Sequence, residues 1–348
     1  MKHQVYIGLL FGFLLLFMSC ASTISMFVDV EKPASVTLPV KAQNVIIVNN
    51  AVPQPLGYGI DAPSGKYPEM DSIYIRTLKT APWRLAMETF RNLDDSKFFS
   101  DVSLYKRSLR EDDEWLSVVP VDEEIKRDFF ENENFDMLIS IDRLLFNSVF
   151  EKNKLEVGKM EVVLTFSAYL RGEDKPIVHT IADTLKAYYA SGDFYNGVPF
   201  VGPEEVNTEM IRQATSILAG KIGMSFVPGW ETVERRYYIS DIPDAIQTSN
   251  YIDKGKWDEA RRVWTGEFGL EKKAVKRARL ANNIALASEM KGEFEIAEEW
   301  AAKAKALFKN VSPTKYAKDI AYLEEYIKTL QERQSDNIVL DKQYGVSE

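Results

Sequence analysis

Cysteine and histidine are almost missing from this 348-residue chain, which has one cysteine and two histidines. A single cysteine, Cys20, excludes an internal disulfide framework and a thiolate metal site. His179 is the one histidine beyond the N-terminal segment, so any Ser-His-Asp arrangement has to use it. It lies in a stretch of interleaved polar and apolar residues, where the period of two puts His179, Ile181 and Asp183 on one face. That setting fits a surface or hairpin-end histidine. No HExxH occurs, and the usual zinc sets cannot be assembled. Long apolar runs are scarce as well. Val5 to Met18 falls short of the roughly 20 residues of a spanning helix. Positive charge is outnumbered, with 43 Lys and Arg against 52 Asp and Glu and a net charge of −9. An acidic body repels phosphate backbones, which excludes nucleic acid as the expected partner.

Nucleotide loops are absent too. Gly57-Tyr58-Gly59 has Ala62 where a dinucleotide loop needs its third glycine. Gly59 to Gly65-Lys66 has five intervening residues, and Tyr67 replaces the Ser or Thr of a phosphate loop. Asp193 to Gly197 lacks the ligand repeat of a calcium loop. Acidic groups are plentiful, but Asp94-Asp95, Glu111 to Glu114 and Glu204-Glu205 read as solvated faces or helix starts. No catalytic residue, metal ligand or cofactor is assigned. A glycan or peptidoglycan hydrolase using two carboxylates stays open as the alternative function.

What is present begins at the N-terminus. Lys2, the apolar run and the small Ser19 make an export signal. Ser19-Cys20 resembles the lipobox of bacterial lipoproteins, with Phe17 in place of the usual Leu and Met18 in place of a small residue. The resemblance implies that Cys20 is lipidated and that the chain is tethered to a membrane. No Asp follows Cys20, and Ala21 to Ser25 carry no acid. By the same resemblance, this places the protein on the periplasmic face of the outer membrane. The hydrophobic fraction of 45% supports real cores, and the length allows two domains. The expected division is a signal over 1–19, a tether over 20–35, a sheet domain over 36–239, a helical domain over 240–333 and a disordered tail over 334–348.

In the sheet domain, Val45 to Asn50 reads as a buried strand, and the Pro- and Gly-rich 51–70 as a loop. Pro82-Trp83 opens a helix to about Leu93. Strands are expected over about 99–109, 137–150, 155–171 and 177–190, with a short helix over 121–130 and a longer one over 204–221. The fold class is α+β or α/β, with a mixed, largely antiparallel sheet and packed helices, followed by an all-α domain. An aromatic Gly-rich stretch from Tyr188 to Phe200, with Phe194 and Tyr195, reads either as packing over the end of the sheet or as a candidate interaction loop.

From Ile242 the pattern is helical. Gly255, Trp257 and Ala260 recur 37 positions on as Gly292, Phe294 and Ala297. This resembles tetratricopeptide repeats, in which Gly caps the first helix and the aromatic fills the groove between helices. Such repeats bind a peptide or helix of a partner, and the paired Asn282-Asn283 resembles their peptide-backbone clamp or else reads as a helix-start irregularity. Candidate partner-binding residues are therefore Asn250, Tyr251, Asn282, Asn283 and Glu289. Pro313 opens a last helix to about Arg333.

Between the two domains, Pro228-Gly229-Trp230-Glu231-Thr232-Val233-Glu234-Arg235, with Lys256-Trp257 and Trp264, resembles a joint found in a lipoprotein family of Bacteroides-type bacteria. That family has an α/β front domain and a repeat-like tail. The resemblance implies location and architecture, and no activity. Trp230, Arg235, Trp257 and Trp264 are the expected joint residues. The expected function is a membrane-anchored, non-enzymatic binding or scaffold lipoprotein whose repeats dock a protein partner in the cell envelope. Self-association through the sheet domain, as a subunit of an outer-membrane assembly, is the further alternative.

Overall fold

The computed structural model describes residues 23–39, 42–62, 68–151, 156–189, 194–195, 198–199, 203–240, 242 and 244–346. The chain divides into two compact units, Ala34–Pro228 with Gln343–Gly345, and Met1–Pro33 with Gly229–Lys342 and Val346–Glu348. It is a mixed α+β fold followed by a C-terminal all-helical region.

The first unit is built on a five-stranded sheet in the order β3-β2-β4-β5-β6. Strand β2 (Asn44–Asn49) runs parallel to β3 (Asp101–Ser108) and to β4 (Met137–Glu151). Strands β5 (Glu156–Leu170) and β6 (Ile177–Tyr189) continue antiparallel. Alternation sorts the side chains. Val45, Ile47, Met137, Ile139 and Ile141 join the larger core, while Ile46, Val48 and Leu138 join a smaller core on the other face. Both faces of β2 and β4 are covered, which is why these strands read as continuous apolar runs.

Helices α1 (Pro68–Ser96) and α3 (Pro203–Phe226) pack on the larger core through Leu78, Leu85, Leu93, Ile211, Leu218 and Ile222. Burying one such side chain contributes about 2 kcal/mol. Pro82 lies inside α1 and does not open it. Tyr74, Leu78, Ala81 and Leu85 are all nearly fully buried at helical spacing across the proline. That shared apolar face outweighs the roughly 3 kcal/mol local cost of an interior proline. The smaller core is closed by α2 (Glu123–Arg127) and a following π turn, Asp128–Asn132. Strand β7 (Phe194–Tyr195) pairs with β8 (Val198–Pro199).

The second unit carries helices α4 (Ala245–Asp253), α5 (Trp257–Leu270), α6 (Ala274–Glu289), α7 (Phe294–Val311) and α8 (Ala317–Gln343). Gly255 and Gly292 both take positive φ, 66° and 75°, between the helices of successive pairs. That left-handed conformation suits glycine because it lacks Cβ. Three expectations are corrected here. The last helix continues past Arg333 to Gln343, with Leu340 buried, so 334–343 is not a disordered tail. Much of the tether is a strand, β1 (Thr23–Lys32). Residues 229–238 form a strand, β9 (Gly229–Tyr238), of the helical unit, so the boundary falls near Pro228 and not at 239. Strands β1 and β9 pair antiparallel from Thr23↔Tyr238 to Lys32↔Gly229. No described helix is long and apolar enough to cross a membrane.

Candidate functional site

The helical groove is built around α6, which is buried on nearly every side from Leu280 to Glu289. Alanines at 278, 281, 285 and 287 let neighbours approach closely. Asn282, Asn283, Ser288 and Glu289 are the polar residues on that buried stretch, and burying a polar group is costly without a partner. The two carboxamides and the carboxylate have one, and the Ser288 hydroxyl has none among the described residues. The partners of the two asparagines lie on β9, and those of Glu289 on β9 and α8. Asn283 accepts the Tyr238 backbone N–H at Oδ1, 2.8 Å, and donates from Nδ2 to the Tyr238 carbonyl, 2.8 Å. A carboxamide has the donor and acceptor of a peptide bond, so it completes β9 as a neighbouring strand would. Asn282 donates from Nδ2 to the Arg236 carbonyl at 3.1 Å. Both contacts are to main chain and are blind to side-chain identity.

Nearly two turns further along α6, Glu289 is fully buried and takes a charge-assisted set of bonds. Arg235 donates from Nε at 3.0 Å to each carboxylate oxygen and from Nη2 at 2.8 Å. Tyr326 of α8 donates its hydroxyl at 2.7 Å, and Arg333 donates from Nη1 at 2.5 Å. Burial alone would raise the Glu289 pKa. The hydrogen bond and charge of Arg235, with Tyr326 and Arg333, outweigh it and hold the carboxyl below its ordinary range. Arg235 is shifted up despite burial, because Glu289 favours its charged form. Burial, then the Glu289 charge, pushes Tyr326 well above the usual phenol range. The two partners agree on an ionised pair.

Neighbouring aromatics close the groove. The Arg236 guanidinium lies 4.0 Å from the Tyr322 ring centroid, and its backbone N–H donates to the Tyr322 hydroxyl at 3.3 Å. Tyr238 donates its hydroxyl to Asp319. Burial, reinforced by Asp319, raises the Tyr238 pKa. Strand β1 lies along β9 with Val28 and Val30 buried.

The residues expected to line an open groove therefore hold the chain's own strand. Asn282, Asn283 and Glu289 are brought together beneath β9. Asn250 is exposed on α4 and makes none of the hydrogen bonds to β9, while Tyr251 packs half-buried on the helical core and accepts from Gln247. The joint residues separate in the same way. Trp230 is 71% exposed on β9. Arg235 is the partner of Glu289, and Trp257 and Trp264 pack in the helical core. Phe194 and Tyr195 form β7, but 190–193, 196–197 and 200–202 of their loop, and Cys20, lie outside the described residues. Sequence reasoning missed β9 as the occupant. The signal was Val233, Arg235 and Tyr237 alternating with the exposed Thr232 and Glu234, matched by Met26, Val28 and Val30 in β1.

The His179 ring stacks on Phe166, with centroids 5.2 Å apart and 12° between planes. Asp183, on its face, pairs with Lys221 at 2.7 Å. Among the described residues no group of three or more His, Cys, Asp or Glu could hold a metal ion.

The profile of the family described as "Domain of unknown function (DUF8603)" matches residues 42–238, and that of "Domain of unknown function (DUF6340)" matches 246–332. No curated protein matches the sequence. Among solved structures, a PelC dodecamer from Paraburkholderia phytofirmans is 11% identical, with 56% of this chain and 98% of that chain covered, at a TM-score of 0.22. A minor lipoprotein from Acinetobacter baumannii is 12% identical, with 53% and 90% covered, at a TM-score of 0.21.

Proposed function

We propose that this chain, which belongs to the DUF8603 family, is a lipid-anchored, non-enzymatic scaffold of the bacterial cell envelope. In this reading the repeat-like helices hold the anchor-proximal strand, and protein partners dock elsewhere than in the groove. The observation that carries it is the two-hooked contact of Asn283 with the Tyr238 backbone. By the resemblance to tetratricopeptide repeats, that is where a partner peptide would lie. The lipobox-like Ser19-Cys20 supports the anchor, since Cys20 stands three residues before the start of β1 at Thr23. The scaffold half of the reading draws on how the polar groups of the groove are used. Asn282, Asn283, Glu289 and Arg235 are all engaged in internal bonds, which suits a holding role.

The test follows labelled palmitate into the wild-type chain and a Cys20→Ala variant expressed in a lipoprotein-competent bacterium. The expected result is label in the wild type only, with release of the variant from the membrane fraction. An unlabelled wild-type chain, or a variant that fractionates with membranes as the wild type does, would overturn the reading.

A further inference from the structure

In the sheet unit, the loop between β3 and α2 holds a feature that the groove does not explain. It exposes Leu116, Val118 and Val119, at 56%, 40% and 37% of their surface. Tyr58, 60% exposed, packs its ring against Trp115 with centroids 5.4 Å apart and extends the same patch. Contiguous exposed apolar groups on a loop are costly unless something covers them.

The loop has no secondary structure to hold it, yet side chains fix its carbonyls one after another. Arg110, whose side chain is 7% exposed, donates to the carbonyls of Glu114 at 3.1 Å and Ser117 at 3.2 Å. Arg143 donates to the Leu116 carbonyl at 3.1 Å, and Asn50 to the Val119 carbonyl at 2.7 Å. The Val121 N–H donates to the Tyr169 hydroxyl at 3.1 Å. Asn50 is itself held from below by the buried Asp142, at 3.4 Å. Ser140 and Ser167 donate to the same carboxylate, at 2.6 and 2.5 Å. The sheet thus grips the polar side of the loop and turns its aliphatic side chains outward. A surface pre-set in this way loses little ordering entropy when it binds.

Charge selects the occupant. Glu111, Asp113 and Glu114 are exposed beside the aliphatic patch; the guanidinium of Arg110, which also feels the Glu114 charge, is paired with Asp112. The whole chain carries −9. An acidic rim disfavours an anionic lipid surface and a second acidic copy, and favours aliphatic groups flanked by Lys or Arg. We infer that Leu116, Val118 and Val119, with the rim of Glu111, Asp113 and Glu114, form a docking surface for a basic, aliphatic segment of a partner protein. This rests on the scaffold reading and names the class of partner.

The experiment uses the full-length Cys20→Ala chain and a fluorescent 14-residue peptide of leucines and lysines in amphipathic order. A leucine–glutamate peptide of the same pattern is the control. The lysine peptide is expected to bind and the glutamate peptide not to. Leu116→Ser with Val118→Ser is expected to weaken binding at least about tenfold with the thermal midpoint preserved. A photo-crosslinker at position 118 is expected to capture the peptide, and one at the exposed Val178 of β6 is not. Unchanged affinity in the double variant means general attraction to acid and overturns the proposal. Two further outcomes also overturn it, each if abolished by the same variant: dimerisation in sedimentation, or binding to phosphatidylethanolamine–phosphatidylglycerol vesicles. All of these readouts are independent of palmitate labelling, so failure here leaves the anchor test standing.

Discussion

The carboxamide of Asn283 grips the backbone of Tyr238 at both its N–H and its carbonyl, each at 2.8 Å. Asn283→Ala removes both bonds and leaves two buried main-chain groups unmatched. A cost of about 2–4 kcal/mol is expected, read as a lower urea midpoint with an unchanged slope. A variant as stable as the wild type would show that β9 is held by its side chains alone.

Glu289 and Arg235 form a second, charge-based hold. Glu289→Gln leaves the guanidiniums of Arg235 and Arg333 buried without their counter-charge, and should cost about 3–5 kcal/mol. Replacing both partners, Glu289→Leu with Arg235→Met, should recover much of that loss. A double-mutant cycle measures the coupling, and additive losses would argue against a direct pair.

Acid should act through the same carboxylate. The Glu289 carboxyl in the fold titrates below its ordinary 4.5, because the bonds and charge of Arg235 outweigh burial. Its contribution is present above the unfolded value and is lost as pH falls through the lower folded value. Stability measured from pH 6 downward should therefore decline below about 4.5, and Glu289→Gln should flatten that limb. Tyr326 acts at the other end. Burial and the Glu289 charge raise it well above 10.0, so its contribution is present below the unfolded value and fades as pH rises beyond it. Tyr326→Phe should make the alkaline limb shallower. Identical pH curves for either variant and the wild type would refute the assignment.

Gly255 and Gly292 take positive φ between helices, and an added Cβ would meet no atom within 4 Å at either site. Substitution by Ala should therefore report backbone strain alone, about 1 kcal/mol at each position. Equal losses would support equivalent roles in the two helix pairs. A loss at only one would separate them.

Much of this architecture was legible in the residues. Val45 to Asn50 and the runs after Met137 gave strands because continuous or alternating apolar patterns have few other solutions. The 37-residue offset of Gly255/Gly292 and Ala260/Ala297 gave the helix pairs because caps and close packing demand particular residues. The C-terminal half of α8 was hidden by the polar run Gln331 to Asn337, although Leu340 resumes the buried face. Asn282 and Asn283 were legible as a backbone clamp and Glu289 as a groove residue, but their occupant was not. Strand pairing is set by register between segments, and β1 and β9 are separated by about 200 residues, with weak alternation in each. Nothing local to Thr23–Lys32 distinguishes a short strand from a linker until its partner is known. The pinned loop was read only as a solvated acidic turn, because Arg143 and Asn50 reach it from other strands.

The antiparallel register of β1 and β9 sets where mechanical load enters the molecule. The first residue of β1, Thr23, lies opposite Tyr238, the residue that Asn283 grips. Tension applied at the N-terminal end of β1 therefore arrives first at the Thr23–Tyr238 pair, where the main-chain groups of Tyr238 bond Asn283 and not β1. A chain pulled from that end should open the β1–β9 pairs in sequence from Thr23 to Lys32, like a zip, while the Asn283 bonds keep β9 seated on α6.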